Sequence, residues 1–182
     1  MSQKGTGSAY FIEERKDTTE RHTFSILVDN EPGVLARIAS LFSGRGYNIE
    51  SLTVSETEEE KHLSRFTVVT TGTPMVLQQI RNQLDRLVPV HRVVDLTIGG
   101  QAIERELALV KVAGKGEKRI EALRLAEIFR ASVVDTSTEH FVFEVTGKST
   151  KIDQFIAIMH ELGLVEISRT GIAAMGRGGS GM

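Results

Sequence analysis

The sequence predicts an α+β fold of two consecutive ferredoxin-like (βαββαβ) domains, and three observations predict it. Apolar residues alternate from Thr23, as in a half-buried strand, then switch to helical spacing at Val34. Runs of the two kinds continue in the order strand, helix, strand, strand, helix, strand as far as residue 98. After "GGQA" at 99–102 the same order begins again. The repetition is one of pattern and not of residues, so it argues for a shared architecture more firmly than for duplication.

The first strand rests on Phe24, Ile26 and Val28. The helix after it carries Val34, Leu35, Ile38, Leu41 and Phe42, read as one face. Each such side chain contributes at most about 1.5–3 kcal/mol on burial, so this helix needs a sheet to pack on. "SGRG" at 43–46 ends it, because glycine supplies the left-handed residue of a C-terminal cap. In "YNIESLTVS", Tyr47 and Ile49 fall on one face of a strand and Leu52 and Val54 on the other; a bulge near Glu50 and Ser51 would reconcile them. "SETEEEKH" reads as a charged hairpin tip leading to a third strand, "LSRFTVVT". Thr73 as cap and Pro74 as first residue open a second helix with Val76, Leu77, Ile80, Leu84, Leu87 and Val88 on its face, stopped by Pro89. "VHRVVDLTI" completes the first unit.

In the second unit "RELALVKVA" is a strand, and Ile120, Leu123, Ala126 and Phe129 line a helix. "SVVDTST" and "HFVFEVTG" form a hairpin. Ser149 or Thr150 caps a helix carrying Ile152, Phe155, Ile156 and Met159, and "LVEISRT" closes the series. The resulting boundaries are a mobile N-terminal extension at 1–20, a first domain at 21–98, a linker at 99–104, a second domain at 105–172 and a flexible tail at 173–182.

Composition narrows the function classes. A chain that is 40% hydrophobic and 25% charged folds and does not resemble a disordered one. Its net charge of -2 gives no general attraction to nucleic acid or anionic lipid, so neither is expected as a partner. The lack of cysteine removes disulfides, thiolate catalysis and cysteine metal sites together. No apolar run is long enough for a membrane span, and the N-terminus has no signal-peptide core, so a cytoplasmic protein is expected.

No catalytic constellation has useful spacing. His22, His62, His91, His140 and His160 fall on different elements and form no i, i+4 pair, so solvated or edge-strand roles outweigh a metal site. "GKGEKR" at 114–119 lacks both the dinucleotide-binding glycine spacing and the end of a P-loop, and reads as a basic helix start on a turn. The remaining feature is "DNEPGVL" at 29–35, which joins the first strand to the first helix. Amides of a first helical turn have no internal partners and the helix dipole favours an anion there. Gly33 opens the backbone, Pro32 restricts it, and Asp29, Asn30 and Glu31 offer acceptors for an ammonium, with Asn48 as a further amide from a neighbouring strand or subunit. A zwitterion with a small apolar side chain fits that set. A simple cap by Asp29 or Asn30 fits the spacing equally well, and the two readings stand side by side.

The stretch from "RHTFSILVDNEPGVLARIASLF" through "GYNIESLTVS" closely resembles the N-terminal ACT domain of the small, regulatory subunit of acetolactate synthase (acetohydroxyacid synthase). The likeness continues through "LDRLVPVHRVVDLT", "ERELALVKV", "AEIFRASVVD" and "ISRTGIAAMGRG", about residues 21–178. The resemblance implies a non-catalytic partner of a large subunit that carries thiamine diphosphate, Mg2+ and FAD. It implies activation of that subunit, feedback inhibition by a branched-chain amino acid, usually valine, and a homodimer formed side by side through the ACT domain. Carried over residue by residue, the effector contacts are Asn30, Gly33, Val34 and Leu35, with Asn48 and Ile49 from the facing subunit. The second half has "AGKGEKR" where the first has the Asp-Asn-Glu-Pro-Gly loop, so a second site of the same kind is not expected there. A stand-alone amino-acid sensor and an acylphosphatase-like hydrolase are the alternatives. The second is disfavoured by acidic residues flanking a loop that has no basic residue.

Overall fold

The computed structural model describes residues 18–58, 62–98, 102–179 and 181. Most of the expected extension, the tip of the first hairpin at 59–61 and the linker at 99–101 lie outside the described residues. The first unit runs β1 (Glu20–Asp29), α1 (Val34–Ser43), β2 (Ser51–Glu58), β3 (Leu63–Gly72), α2 (Pro74–Leu84) and β4 (Val90–Asp95). The second runs β5 (Ala102–Ala113), α3 (Glu117–Ile128), β6 (Ser132–Thr136), β7 (His140–Gly147), α4 (Ser149–Leu162) and β8 (Leu164–Arg169), followed by a short β9 (Ala173–Gly176). Strand order is β2-β3-β1-β4 in one sheet and β6-β7-β5-β8 in the other, with every pairing antiparallel. This is the double βαββαβ arrangement expected from the sequence.

Each sheet buries one face under its own two helices. In the first, Phe24, Ile26 and Val28 of β1 and Phe66 and Val68 of β3 meet Val34, Ile38 and Phe42 of α1 and Leu77, Ile80 and Leu84 of α2. In the second, Val110 and Val112 of β5 and Phe143 and Val145 of β7 meet Ala122 and Ala126 of α3 and Ile152, Phe155 and Met159 of α4. The phenylalanines Phe129, Phe143 and Phe155 pack as tilted and edge-on pairs with centroids 5.3 and 6.0 Å apart.

The helix faces are narrower than the apolar spacing suggests. Leu35 lies 48% exposed although Phe42, about 20° from it on the helical wheel and two turns on, is buried, because Leu35 stands in the first turn at the open end of the helix. Ile120 is also exposed, and small Ala122 takes the buried place on α3. The second helix ends at Leu84, well before Pro89. Leu87 then packs from a turn and Val88 is 94% exposed. Thr73 does cap α2, accepting from the Val76 amide at 3.4 Å. Lys148, and not Ser149 or Thr150, is the N-cap of α4, which places Ser149 inside the first turn.

Two boundaries differ from the expected ones. Residues 102–104 belong to β5 and not to a linker, and 173–176 form a strand and not a mobile tail. The reason is a third apolar cluster on the open face of the first sheet. Val69 and Leu96 there are covered by Ile172 and Ala174, with Val94 and Ala102 beside them. The first four residues of β5 pair with β9 across this face, while the rest of the same strand is central to the second sheet.

Burial sets the expected mutational costs. Ile38→Ala, at a fully buried site, should lower unfolding free energy by about 2–5 kcal/mol in urea denaturation followed by circular dichroism. Val88→Ala should stay within about 0.5 kcal/mol.

Candidate functional site

The joint between β1 and α1 is held from two sides. The Asp29 amide donates to the Pro89 carbonyl at 2.9 Å and the Asn30 amide to the His62 carbonyl at 2.7 Å. The Asp29 carboxylate meets His91 Nε2 at 2.6 Å, so it is engaged at the sheet and does not cap the helix. Asn30 does not cap it either. The N-cap is Gly33, in the left-handed region at φ 90°, with no side chain accepting from the first turn. The Val34 amide makes one long contact, 3.4 Å, to the Glu31 carbonyl, and the ladder begins with Arg37 donating to Gly33 at 3.0 Å. Among the described residues the amides of Leu35 and Ala36 have no partner. A Cβ on Gly33 would meet nothing within 4 Å, so the helix start opens onto free space. The Asn30 side chain and Leu35 lie exposed at this opening, while Val34 turns into the core. An uncapped helix start with a polar amide and an apolar side chain beside it suits a carboxylate carried on a small apolar molecule.

Asn48 and Ile49 are elsewhere. Ser51, Val69 and Thr23 share one row across β2, β3 and β1, whereas Asp29 pairs with Leu63, itself opposite Glu58 at the far end of β2. Six residues of strand separate the two rows, about 20 Å at 3.3 Å per residue. One chain therefore does not bring Asn48 and Ile49 to Asn30 and Gly33. The two groups of candidate residues lie at opposite ends of the sheet, with β2 its edge strand.

The Asn48–Ile49 segment leads to contacts with the chain's other domain. No bulge occurs at Glu50 and Ser51. Residues 47–50 precede the strand, and a bend at Glu50 absorbs the phase slip, so that Tyr47, Ile49 and Leu52 all pack on the same core. Glu50 is fixed by Arg21 at 2.9 Å and by the Thr71 hydroxyl, whose hydrogen bond is the main cause holding its pKa below the ordinary value. One residue on, the Ser51 hydroxyl accepts from the Ile172 amide at 2.9 Å, and Thr53 donates to the Thr170 carbonyl at 3.5 Å. Gly171, at φ 80°, crosses so closely that a Cβ would lie 2.8 Å from Ser51 Oγ and 2.9 Å from Thr53 Oγ1. Next to this crossing, Arg169 forks onto buried Glu106 with two bonds of 2.7 Å and reaches Asp153 at 2.7 Å. That fork lowers the Glu106 pKa and raises that of Arg169.

The other sequence candidates resolve as structural groups. Lys118 and Arg119 of the "GKGEKR" turn donate to the carbonyls of Glu161 and Ser137 at 3.2 and 2.7 Å, and Arg119 lies over the Phe141 ring. His22 and His140 pair with Asp95 and Asp135 at 2.6 and 3.0 Å. Among the described residues no group of three His, Asp or Glu could hold a metal, and no helix is long and apolar enough to cross a membrane.

Residues 24–92 match the family model of the acetolactate synthase (AHAS) small subunit-like ACT domain, and 105–178 match that of the small subunit of acetolactate synthase. The chain belongs to the acetolactate synthase small-subunit family. It is 47% identical to a probable acetolactate synthase small subunit of Archaeoglobus fulgidus over 87% of this chain and 98% of that one. It is 43% identical to the isozyme 3 small subunit of Escherichia coli over 87% and 96%. The crystal structure of the acetolactate synthase small subunit from Thermotoga maritima, 39% identical, superposes with a TM-score of 0.80 over 88% of this chain and 99% of that one. Both family models fall on the βαββαβ units described above, and the second runs through the Gly171 crossing and β9. A small subunit implies a large partner, and membership of this family supports a regulatory subunit.

The Glu106–Arg169 fork should make the fold acid-sensitive. A carboxylate whose folded pKa is lowered stabilises the fold above its ordinary range, about 4.3, and that stability fades as pH falls through the lower folded value. Unfolding curves should therefore place Glu106→Gln below the wild type near pH 6, with the gap closing toward about pH 3.

Proposed function

We propose that this regulatory subunit activates its large subunit and makes it subject to feedback inhibition by valine in branched-chain amino-acid synthesis. Thiamine diphosphate, Mg2+ and FAD belong to the large subunit in this reading, and the setting is the cytoplasm. The observation that carries the effector site is the uncapped start of α1 behind Gly33, open to solvent with free Leu35 and Ala36 amides. Those amides take the ligand's carboxylate. Asn30 and, from a second chain, Asn48 accept from its ammonium, and Leu35 covers the aliphatic side chain together with the part of the facing Ile49 that its own core leaves exposed.

The separation of the half-sites supports a dimer. Two β2 edges meeting antiparallel would form one continuous sheet and bring Asn48 and Ile49 of each copy to the Asn30–Leu35 end of the other. Valine has eight non-hydrogen atoms, which limits binding to about 12 kcal/mol, whereas millimolar to micromolar feedback needs only about 4–8 kcal/mol. A preference for one dimer arrangement of about 1–3 kcal/mol is sufficient regulation. The path outward runs from Ile49 and Glu50 to Ser51, the Gly171 crossing and the second domain.

The chain alone should form no acetolactate, and its addition to a cofactor-loaded large subunit should raise the turnover rate; an unchanged rate refutes the activating role. Gly33→Asp adds a carboxylate where there is space for it, at a φ that aspartate tolerates better than most residues. Valine inhibition should weaken at least about tenfold, the scale of losing one charge-assisted contact, while stimulation persists. Gly171→Val should keep valine binding in calorimetry and reduce the inhibition that binding causes.

A further inference from the structure

Arg65 on β3 and Arg92 on β4 both pair with Leu27 of β1, one on either side. Directly paired residues of an antiparallel sheet project to the same face, so the two arginines flank Leu27 on the open face, with Cα atoms about 10 Å apart across two strand spacings. Arg177, just past β9, lines the same cavity of about 420 Å³ together with Ser25, Val94, Leu96, Met175 and the backbone of glycines 176, 178, 179 and 181. That volume is within the usual range for small-molecule sites. No aspartate or glutamate lines the cavity among the described residues. Arg65 Nε is enclosed without a hydrogen-bond partner, and neither Arg92 nor Arg177 has an ion-pair partner among the described residues. Arg169, by contrast, is held by two carboxylates.

Three arginines lining one cavity without a counter-charge favour an anion from outside, most of all at Arg65, whose Nε is enclosed while Arg92 and Arg177 reach solvent. Guanidinium forks match phosphate oxygens two at a time, and the glycine backbone leaves room for those oxygens to approach main-chain amides. We infer that this cavity binds a phosphate-bearing small anion. The site lies on the face opposite the helices, across the sheet from the α1 start, so it goes beyond the amino-acid site proposed above. A ligand there would touch β9 and the two strands that bear the arginines, which gives it a physical handle on the cover of the first sheet.

Calorimetric titration of the full chain with pyrophosphate, against chloride at matched ionic strength, tests the assignment. Saturable binding is expected, weakened at least about tenfold in Arg92→Gln and again in Arg177→Gln, with valine binding unchanged in both. Inorganic phosphate should compete more weakly. Absence of saturable binding, or binding that both variants retain, overturns the inference. So does a result in which pyrophosphate fails to bind but the variants lose affinity for the large subunit, since the arginines would then be a docking surface for protein carboxylates.

Discussion

The structure depends on one constraint: the open face of the first sheet carries apolar residues that its own two helices cannot cover. Val69 and Leu96 lie on that face, and Ile172 and Ala174 from the far end of the chain shield them. Water is excluded only because β5 is long enough, at 12 residues, to serve two sheets in turn. Its first part forms a ribbon with β9 over the first domain, and its last part is the centre of the second. The two domains are therefore joined by shared burial as well as by covalent connection. Thr23 adds a polar link, donating to Glu104 at 2.6 Å across the same boundary.

This arrangement places the second domain against the edge strand of the first sheet. The residues after β8 lie against β2 immediately beyond Asn48, Ile49 and Glu50, with hydroxyl contacts at Ser51 and Thr53 and no room for a side chain at 171. A displacement of the edge strand would disturb contacts 121 residues along the chain. Coupling of this kind needs no long relay, because the two segments are in contact.

The fold was largely legible because its signals are local. Period-two alternation in β1 and helical spacing in α4 each identify an element from its own residues. Failures occurred where the deciding interaction is distant in sequence. A glycine-rich end reads as a tail until Val69 and Leu96 require a cover, and the phase slip at Glu50 reads as a bulge until Arg21 and Thr71 are seen to fix a bend. The helix start was legible in "DNEPGVL", though not whether a side chain caps it. That turns on Asp29, whose carboxylate is engaged by His91, 62 residues on. Ser51 and Gly171 carried no signal at all, since small polar residues and glycines are common everywhere.

The Gly171 crossing has one more consequence. An edge strand with both sides free can slide by a residue, and a slip of one exchanges its two faces. With Ser51 and Thr53 held from behind, such a slip would send both hydroxyls into the apolar core and turn Leu52 outward. The crossing thus acts as a clamp on alignment: it fixes which atoms of β2 face outward, and so which an incoming strand from another chain would meet in the proposed dimer.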